Sequence, residues 1–172
     1  MRLAPRRDGN PRGLLLALYL ASLLALGAVA ARAEAPERPF LLALLGAEAL
    51  VMGGLFLWLA GFPERLFYEI QGPLLVIHHP WGKRQVHRSE VVAAVATAYA
   101  LPLLHFGPKA QMPGYYHLRF RLKTAAFPQG LPVEAFLGAR RGEGVLVVLK
   151  EGTGILLNPG EPEALLRWKE AS

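Results

Sequence analysis

Apolar and polar positions alternate along this chain in two different ways. From Gly13 to Ala31 (GLLLALYLASLLALGAVAA), 19 residues pass without a charge. At 1.5 Å per residue such a run reaches roughly 28 Å as a helix, about one hydrocarbon core of a bilayer. Phe40–Phe62 (FLLALLGAEALVMGGLFLWLAGF) is a second run, 23 residues long with one charge, Glu48. Phe40, Trp58 and Phe62 lie toward its ends, where an interfacial aromatic belt falls. The segment between them, RAEAPERP, carries four charges and two prolines and reads as a tight polar turn. The pattern predicts a transmembrane helical hairpin over residues 13–62, with spans at 13–31 and 40–62.

The pattern changes after Pro63. Leu66–Gln71 and Leu74–His79 are apolar-rich runs joined by Gly72-Pro73, and Pro80-Trp81-Gly82 then turns into Arg84–Arg88. Short runs punctuated by Gly and Pro indicate consecutive antiparallel strands. Ser89–Ala100 is read as a strand from its valines and Tyr99, and Leu101–Pro113, with three prolines, as a long loop. Tyr115–Lys123 (YYHLRFRLK) has the clearest period of two. Tyr116, Leu118, Phe120 and Leu122 alternate with His117, Arg119, Arg121 and Lys123. That predicts a half-buried strand with a wholly basic outer face. A weaker strand follows at Val133–Leu137, then a hairpin of Val145–Lys150 and Gly154–Leu157. A terminal helix is expected after Asn158, with Asn158 as N-cap, Pro159 in the first position and Glu161 completing a capping box. Residues 63–172 thus read as one mainly-β domain of about seven antiparallel strands, a barrel or sandwich covered by one C-terminal α-helix.

Charge sets the orientation. Arg2, Arg6, Arg7 and Arg12 precede the first span, against Arg32 and Arg38 in the loop. This bias predicts that residues 1–12 are a basic cytoplasmic tail, and a hairpin then returns the C-terminal domain to the cytoplasm. A multi-pass protein of the cell (inner) membrane with both termini cytoplasmic is the expected setting. A basic start, an apolar core and Ala31-Arg32-Ala33 also fit a cleavable signal peptide. Within the hairpin, Ala17, Ala21 and Ala25, and likewise Ala49 and Gly53 with Gly46 close by, have the small-residue spacing that lets helices approach. Glu48 is a candidate intramembrane polar site. It can snorkel, sit protonated, or bond to Tyr19 or Ser22 across the hairpin.

Composition narrows the chemistry. Of 172 residues, 53% are hydrophobic and 19% charged, with a net charge of +6. The absence of Cys excludes disulfides, thiol catalysis and Cys-ligated zinc. Asp8 is the one Asp, and the Ser residues are Ser22, Ser89 and Ser172, so a Ser-His-Asp hydrolase has no parts outside the N-terminal segment. His78 and His79 adjoin in a strand and point to opposite faces, although His79 can meet His87 across the turn. The glycine pairs Gly142/Gly144 and Gly152/Gly154 lack the Lys and helix of a phosphate loop. A protein without enzymatic activity, cofactor or metal is expected. Nucleic acid is not an expected partner, since much of the basic excess belongs to membrane topology.

The runs Tyr68-x-Ile70, Leu75-x-Ile77 and VHRSEVVAAV, with VLVVLKEGTGILLNPGEPEALLRW, resemble the bacterial pleckstrin-homology-like (PH-like) domains. The resemblance covers roughly Leu66 to Lys169 and rests on structural motifs. It implies a PH-like barrel plugged by the last helix, behind two transmembrane helices, in a family mostly without assigned activity. The phosphoinositide pocket of eukaryotic relatives does not carry over, because the loop after the first hairpin offers only Lys83 and Arg84 as phosphate ligands. Two roles follow as expectations. One is an interaction module binding a protein partner or anionic membrane lipid through His117, Arg119, Arg121 and Lys123. The other is an accessory subunit of a membrane transport or envelope complex, acting through the hairpin and Glu48. Self-association into a homo-oligomer is compatible with either.

Overall fold

The computed structural model describes residues 1–101, 111–124 and 127–171. The chain forms two compact units, one of residues Asn10–Gly61 and one built from Met1–Gly9 together with Phe62–Ser172.

The first unit is the hairpin. Helix α1 spans Arg12–Arg32 and α2 spans Arg38–Ala60, within two residues of the sequence reading at all four ends and long and apolar enough to cross a bilayer. Leu24, Leu50 and Leu57 stand open on surfaces that are apolar all round, as lipid requires and water does not favour. The helices pack through Tyr19. Its hydroxyl donates to the Ala49 carbonyl at 3.0 Å, and its ring meets Phe56 edge-on at 5.6 Å. A Cβ on Gly53 would come within 3.1 Å of the Tyr19 hydroxyl, whereas one on Gly46 would meet nothing. The small-residue stripe therefore matters at Gly53 alone of these two glycines.

Among the described residues the second unit has ten strands in two sheets and a terminal helix. β1 (Arg2–Leu3), β2 (Phe67–Gln71), β3 (Leu74–His79) and β4 (Gly82–His87) form one antiparallel sheet in chain order. The other is ordered β5-β9-β10-β8-β7-β6, from β5 (Val91–Ala100), β6 (Gln111–Met112), β7 (Tyr115–Thr124), β8 (Phe127–Leu137), β9 (Arg141–Leu149) and β10 (Gly154–Leu157). A helical turn, α3 (Phe62–Arg65), precedes β2, and α4 (Pro162–Glu170) packs against β5 and β9. The strand expected over Ser89–Ala100 forms from Val91 on, after a 3-10 turn at Arg88–Glu90. The expected loop at 101–113 falls on residues 102–110, outside the described residues, and ends in β6.

Five expectations are corrected. The sheets do not close into a barrel, and the strands are not all antiparallel, because β10 lies parallel to β8 from Gly154↔Val133 to Leu157↔Phe136. β8 is also longer than Val133–Leu137. Its prolines, Pro128 and Pro132, fall where β8 has β7 as its only neighbour, so the missing N–H groups break no second ladder. Residues 1–12 are not a free tail. Leu3 pairs with Tyr68 in β1–β2, the Arg2 guanidinium sits 3.8 Å from the centre of the Phe67 ring, and Arg6 donates its N–H to the Asn158 carbonyl at 2.8 Å. Finally, Asn158 does not cap the helix, which starts at Pro162 with Glu161 before it and no side-chain cap. Asn158 is buried and ties three segments together. Its Oδ1 accepts from Gly138 N–H at 2.8 Å and its Nδ2 donates to the Arg6 carbonyl at 2.8 Å. The Asn158 N–H also points at the Tyr68 hydroxyl, 3.4 Å away, which itself donates to Phe136 O at 2.7 Å.

One face of the six-stranded sheet carries a core of Tyr99, Tyr116, Leu118, Val133, Ala135, Leu146 and Leu156. The helix α4 docks by Leu165 and Trp168, whose indole N–H donates to Gly72 O at 3.0 Å in the β2–β3 turn.

Candidate functional site

Strand β7 carries the residues that the alternation singled out, and its two halves differ. Tyr115 to Leu118 are all buried, so the first half is covered on both faces. From Arg119 on, exposed Arg119, Arg121 and Lys123 alternate with half-buried Phe120, Leu122 and Thr124. The basic outer face therefore exists only from Arg119 to Lys123. His117 is not part of it. Its side chain is 6% exposed and stacks on Phe136 at 4.3 Å, with His79 and Trp81 nearby at 5.2 and 6.0 Å between ring centres.

The β7–β8 register explains what His117 and Arg119 do. Arg119 stands directly opposite Glu134, and His117 opposite Phe136. Directly opposed residues have their Cβ atoms about 5 Å apart, close enough to pair. Arg119 Nε lies 3.3 Å and His117 Nε2 3.1 Å from Glu134 Oε1, while Arg84 of β4 reaches Oε2 at 3.8 Å. Glu134 is only 13% exposed, so a nearly buried carboxylate on β8 gathers groups from β4 and β7. Burying such a charge is tolerable only with partners of this kind. No sequence pattern pointed to Glu134, because its role depends on a register and on a strand from the other sheet.

An open cleft runs beside this cluster, lined by Arg84, Arg119, Glu134, Thr153 and Gly154, and a second one adjoins it along Arg84, Ser89, Lys150 and Glu151. A free phosphate in the first cleft would face the Glu134 carboxylate, which opposes it. Arg121 and Lys123 differ from Arg119, for they make no ion pair among the described residues and remain available cations. Arg121 pairs with Pro132, a position that offers no charge.

At the start of β7 the character is aromatic. Tyr115 is fully buried against Phe62 and Trp81, at 5.5 and 6.0 Å between ring centres. Its hydroxyl has no acceptor among the described residues, and burial pushes its ionisation well above the ordinary tyrosine range. Phe62, read from sequence as an interfacial aromatic at the end of a span, is instead buried in the β unit.

The remaining candidates are separate. His79 pairs with Gly82 and His87 with Leu74, at opposite ends of the β3–β4 hairpin, so the two histidines do not meet. Glu48 is half-buried on α2 and makes no hydrogen bond among the described residues. Its expected partners are otherwise engaged, Tyr19 with Ala49 and Ser22 with the Tyr19 carbonyl at 2.8 Å. Among the described residues no group of His, Asp and Glu is placed to hold a metal ion. No family model, curated protein or solved structure matches the chain.

Proposed function

We propose that this chain is a membrane-anchored, non-enzymatic interaction module of PH-like type, displayed at the inner face of the cell membrane. The observation that carries the reading is that residues Met1–Gly9 and Phe62–Ser172 form one β unit with the apolar hairpin between them. If α1 and α2 span a bilayer, both flanks of the hairpin share one side, and the arginine bias makes that side cytoplasmic. Two packed sheets followed by a docked terminal helix support the PH-like assignment, although the open sheets and the parallel β8–β10 pair depart from an ideal barrel.

The ligand we favour is an acidic segment of a protein partner, held at Arg121 and Lys123. Both side chains are exposed on β7 and make no ion pair among the described residues, so an acidic segment can pair with the two together. The test is crosslinking and recovery of partners from native membranes with the full chain. Wild type should recover a partner that Arg121→Glu/Lys123→Glu loses at equal expression. Equal recovery by both rejects this surface. If the charge reversal instead abolishes only a preference for anionic over zwitterionic nanodiscs, the ligand is lipid.

A second reading, an accessory subunit acting through its hairpin, draws on the unpartnered and half-buried Glu48. It predicts that Glu48→Gln, and not the β7 variant, abolishes co-purification with a larger membrane protein.

A further inference from the structure

We propose that the β3–β4 turn seats Trp81 in the lipid headgroup layer beside the end of α2, a second point of attachment for the β unit. This rests on reading α2 as a membrane span. Helix α2 has 23 residues, about 34 Å of helix, which exceeds a hydrocarbon core of about 30 Å and carries its end into the interface. The helix ends at Ala60, and Phe62 follows two residues on, at most about 7.6 Å away along the chain. Phe62 is fully buried in the β unit, and the ring packed edge-on against it, 4.9 Å between centres, is that of Trp81. The short covalent link alone therefore keeps Trp81 within reach of the layer into which the end of α2 emerges.

Trp81 is 51% exposed and is the sole exposed aromatic side chain among the described residues of the β unit. Its place is rigid. His79 pairs with Gly82, leaving Pro80 and Trp81 as a two-residue turn, and Gly82 takes φ 145° where a side chain would be strained. An indole offers a large apolar face and one N–H donor, the combination that concentrates tryptophan at headgroup depth. Exposed Lys83 and Arg65 flank the turn as counter-charges for lipid phosphate, against the single exposed carboxylate of Glu64. Water is a poorer environment for that face than the interface a few ångströms away.

The experiment uses the full chain labelled with fluorotryptophan and reconstituted in phosphatidylcholine/phosphatidylglycerol bilayers. The resonances of Trp58, Trp81 and Trp168 are assigned by single Trp→Phe replacements and read in the unmutated protein, so folding of a variant is not at issue. A nitroxide carried near the lipid headgroup should relax Trp81 at least about twofold more than buried Trp168. If Trp58 responds to lipid nitroxide while Trp81 responds only to a water-soluble relaxation agent, the anchor is rejected and the span stands. If neither Trp58 nor Trp81 responds to lipid nitroxide, the span fails and the anchor with it.

Discussion

The Asp8 carboxylate accepts the Tyr116 hydroxyl at 2.9 Å, joining positions that lie 108 residues apart on either side of the apolar hairpin. The same carboxylate accepts the Arg140 N–H at 2.8 Å and, through its other oxygen, the Gly114 N–H at 3.0 Å. The one Asp of the sequence is thus a clamp between the N-terminal segment and three loops or strands of the β unit.

Removing that clamp should be costly. Asp8→Ala leaves three donors without their acceptor, and hydrogen bonds to a charged group contribute about 1.5–3 kcal/mol each when intact. We expect a loss of about 2–4 kcal/mol in the unfolding free energy of the full chain in detergent. A denaturation midpoint that does not move would show that the segment is not structural.

The hairpin should be dispensable for folding of the β unit, and residues 1–9 should not. A Cβ on Gly114 would lie 2.5 Å from the Gly9 carbonyl oxygen and 3.4 Å from the Pro63 side chain, so the two ends of the hairpin segment converge on one glycine. Replacing residues 10–61 by a short Gly/Ser linker should give a soluble protein with a cooperative thermal transition. Residues 62–172 alone should lack that transition. A cooperative transition of equal midpoint without residues 1–9 overturns the assignment. The same logic predicts that chain extracted from membranes retains residues 1–9, since cleavage near Ala31-Arg32-Ala33 would strip β1 and Asp8.

Asn158 and Glu161 separate the two views of the last helix. Asn158→Ala deletes buried hydrogen bonds to Gly138 and Arg6 and should destabilise by about 2–4 kcal/mol, well beyond the ~1 kcal/mol of a lost cap. Glu161→Ala removes no cap bond and should change the midpoint little. Equal, small effects would return Asn158 to a capping role.

Alkaline pH should unfold the β unit. Burial pushes Tyr99 and Tyr116 up to about 12, Tyr116 also through its bond to Asp8, and burial drives Tyr68 and Tyr115 the same way. The folded state therefore holds protons that the unfolded chain releases near pH 10. Stability from these groups is complete below about pH 10 and falls as pH rises toward and through 12, by up to about 1.4 kcal/mol per pH unit for each tyrosine. Denaturation midpoints at pH 9 and 11 check the sign. A midpoint that rises over this interval contradicts it.

Much of the architecture was legible in the residues themselves. Apolar runs of 19 and 23 residues, the second with Glu48 as its one charge, can satisfy their backbone only as helices in lipid, so length and composition sufficed for α1 and α2. Gly72-Pro73 and Pro80-Trp81-Gly82 marked the turns of the first sheet because backbone conformation is a local property, and the period of two in Tyr115–Lys123 announced β7 for the same reason. What the period could not convey is whether one face or both are covered. His117 has the same phase as Arg121, yet the first sheet lies over one and not the other.

Long-range pairing decided the rest. β1 is two residues long and carries no strand signal, and its place beside β2 follows from a return of the chain after the hairpin. Asn158 had the local chemistry of an N-cap, but the Gly138 N–H and Arg6 carbonyl compete for the same amide and lie 20 and 152 positions away. Glu134 gathers His117, Arg119 and Arg84 only once β7, β8 and β4 are side by side. Sequence determined the long helices, the turns and the longer strands, because sterics and hydropathy act over a few residues. The tertiary structure alone decided which polar side chains are buried partners and which stay exposed, because those contacts join residues that the chain keeps far apart.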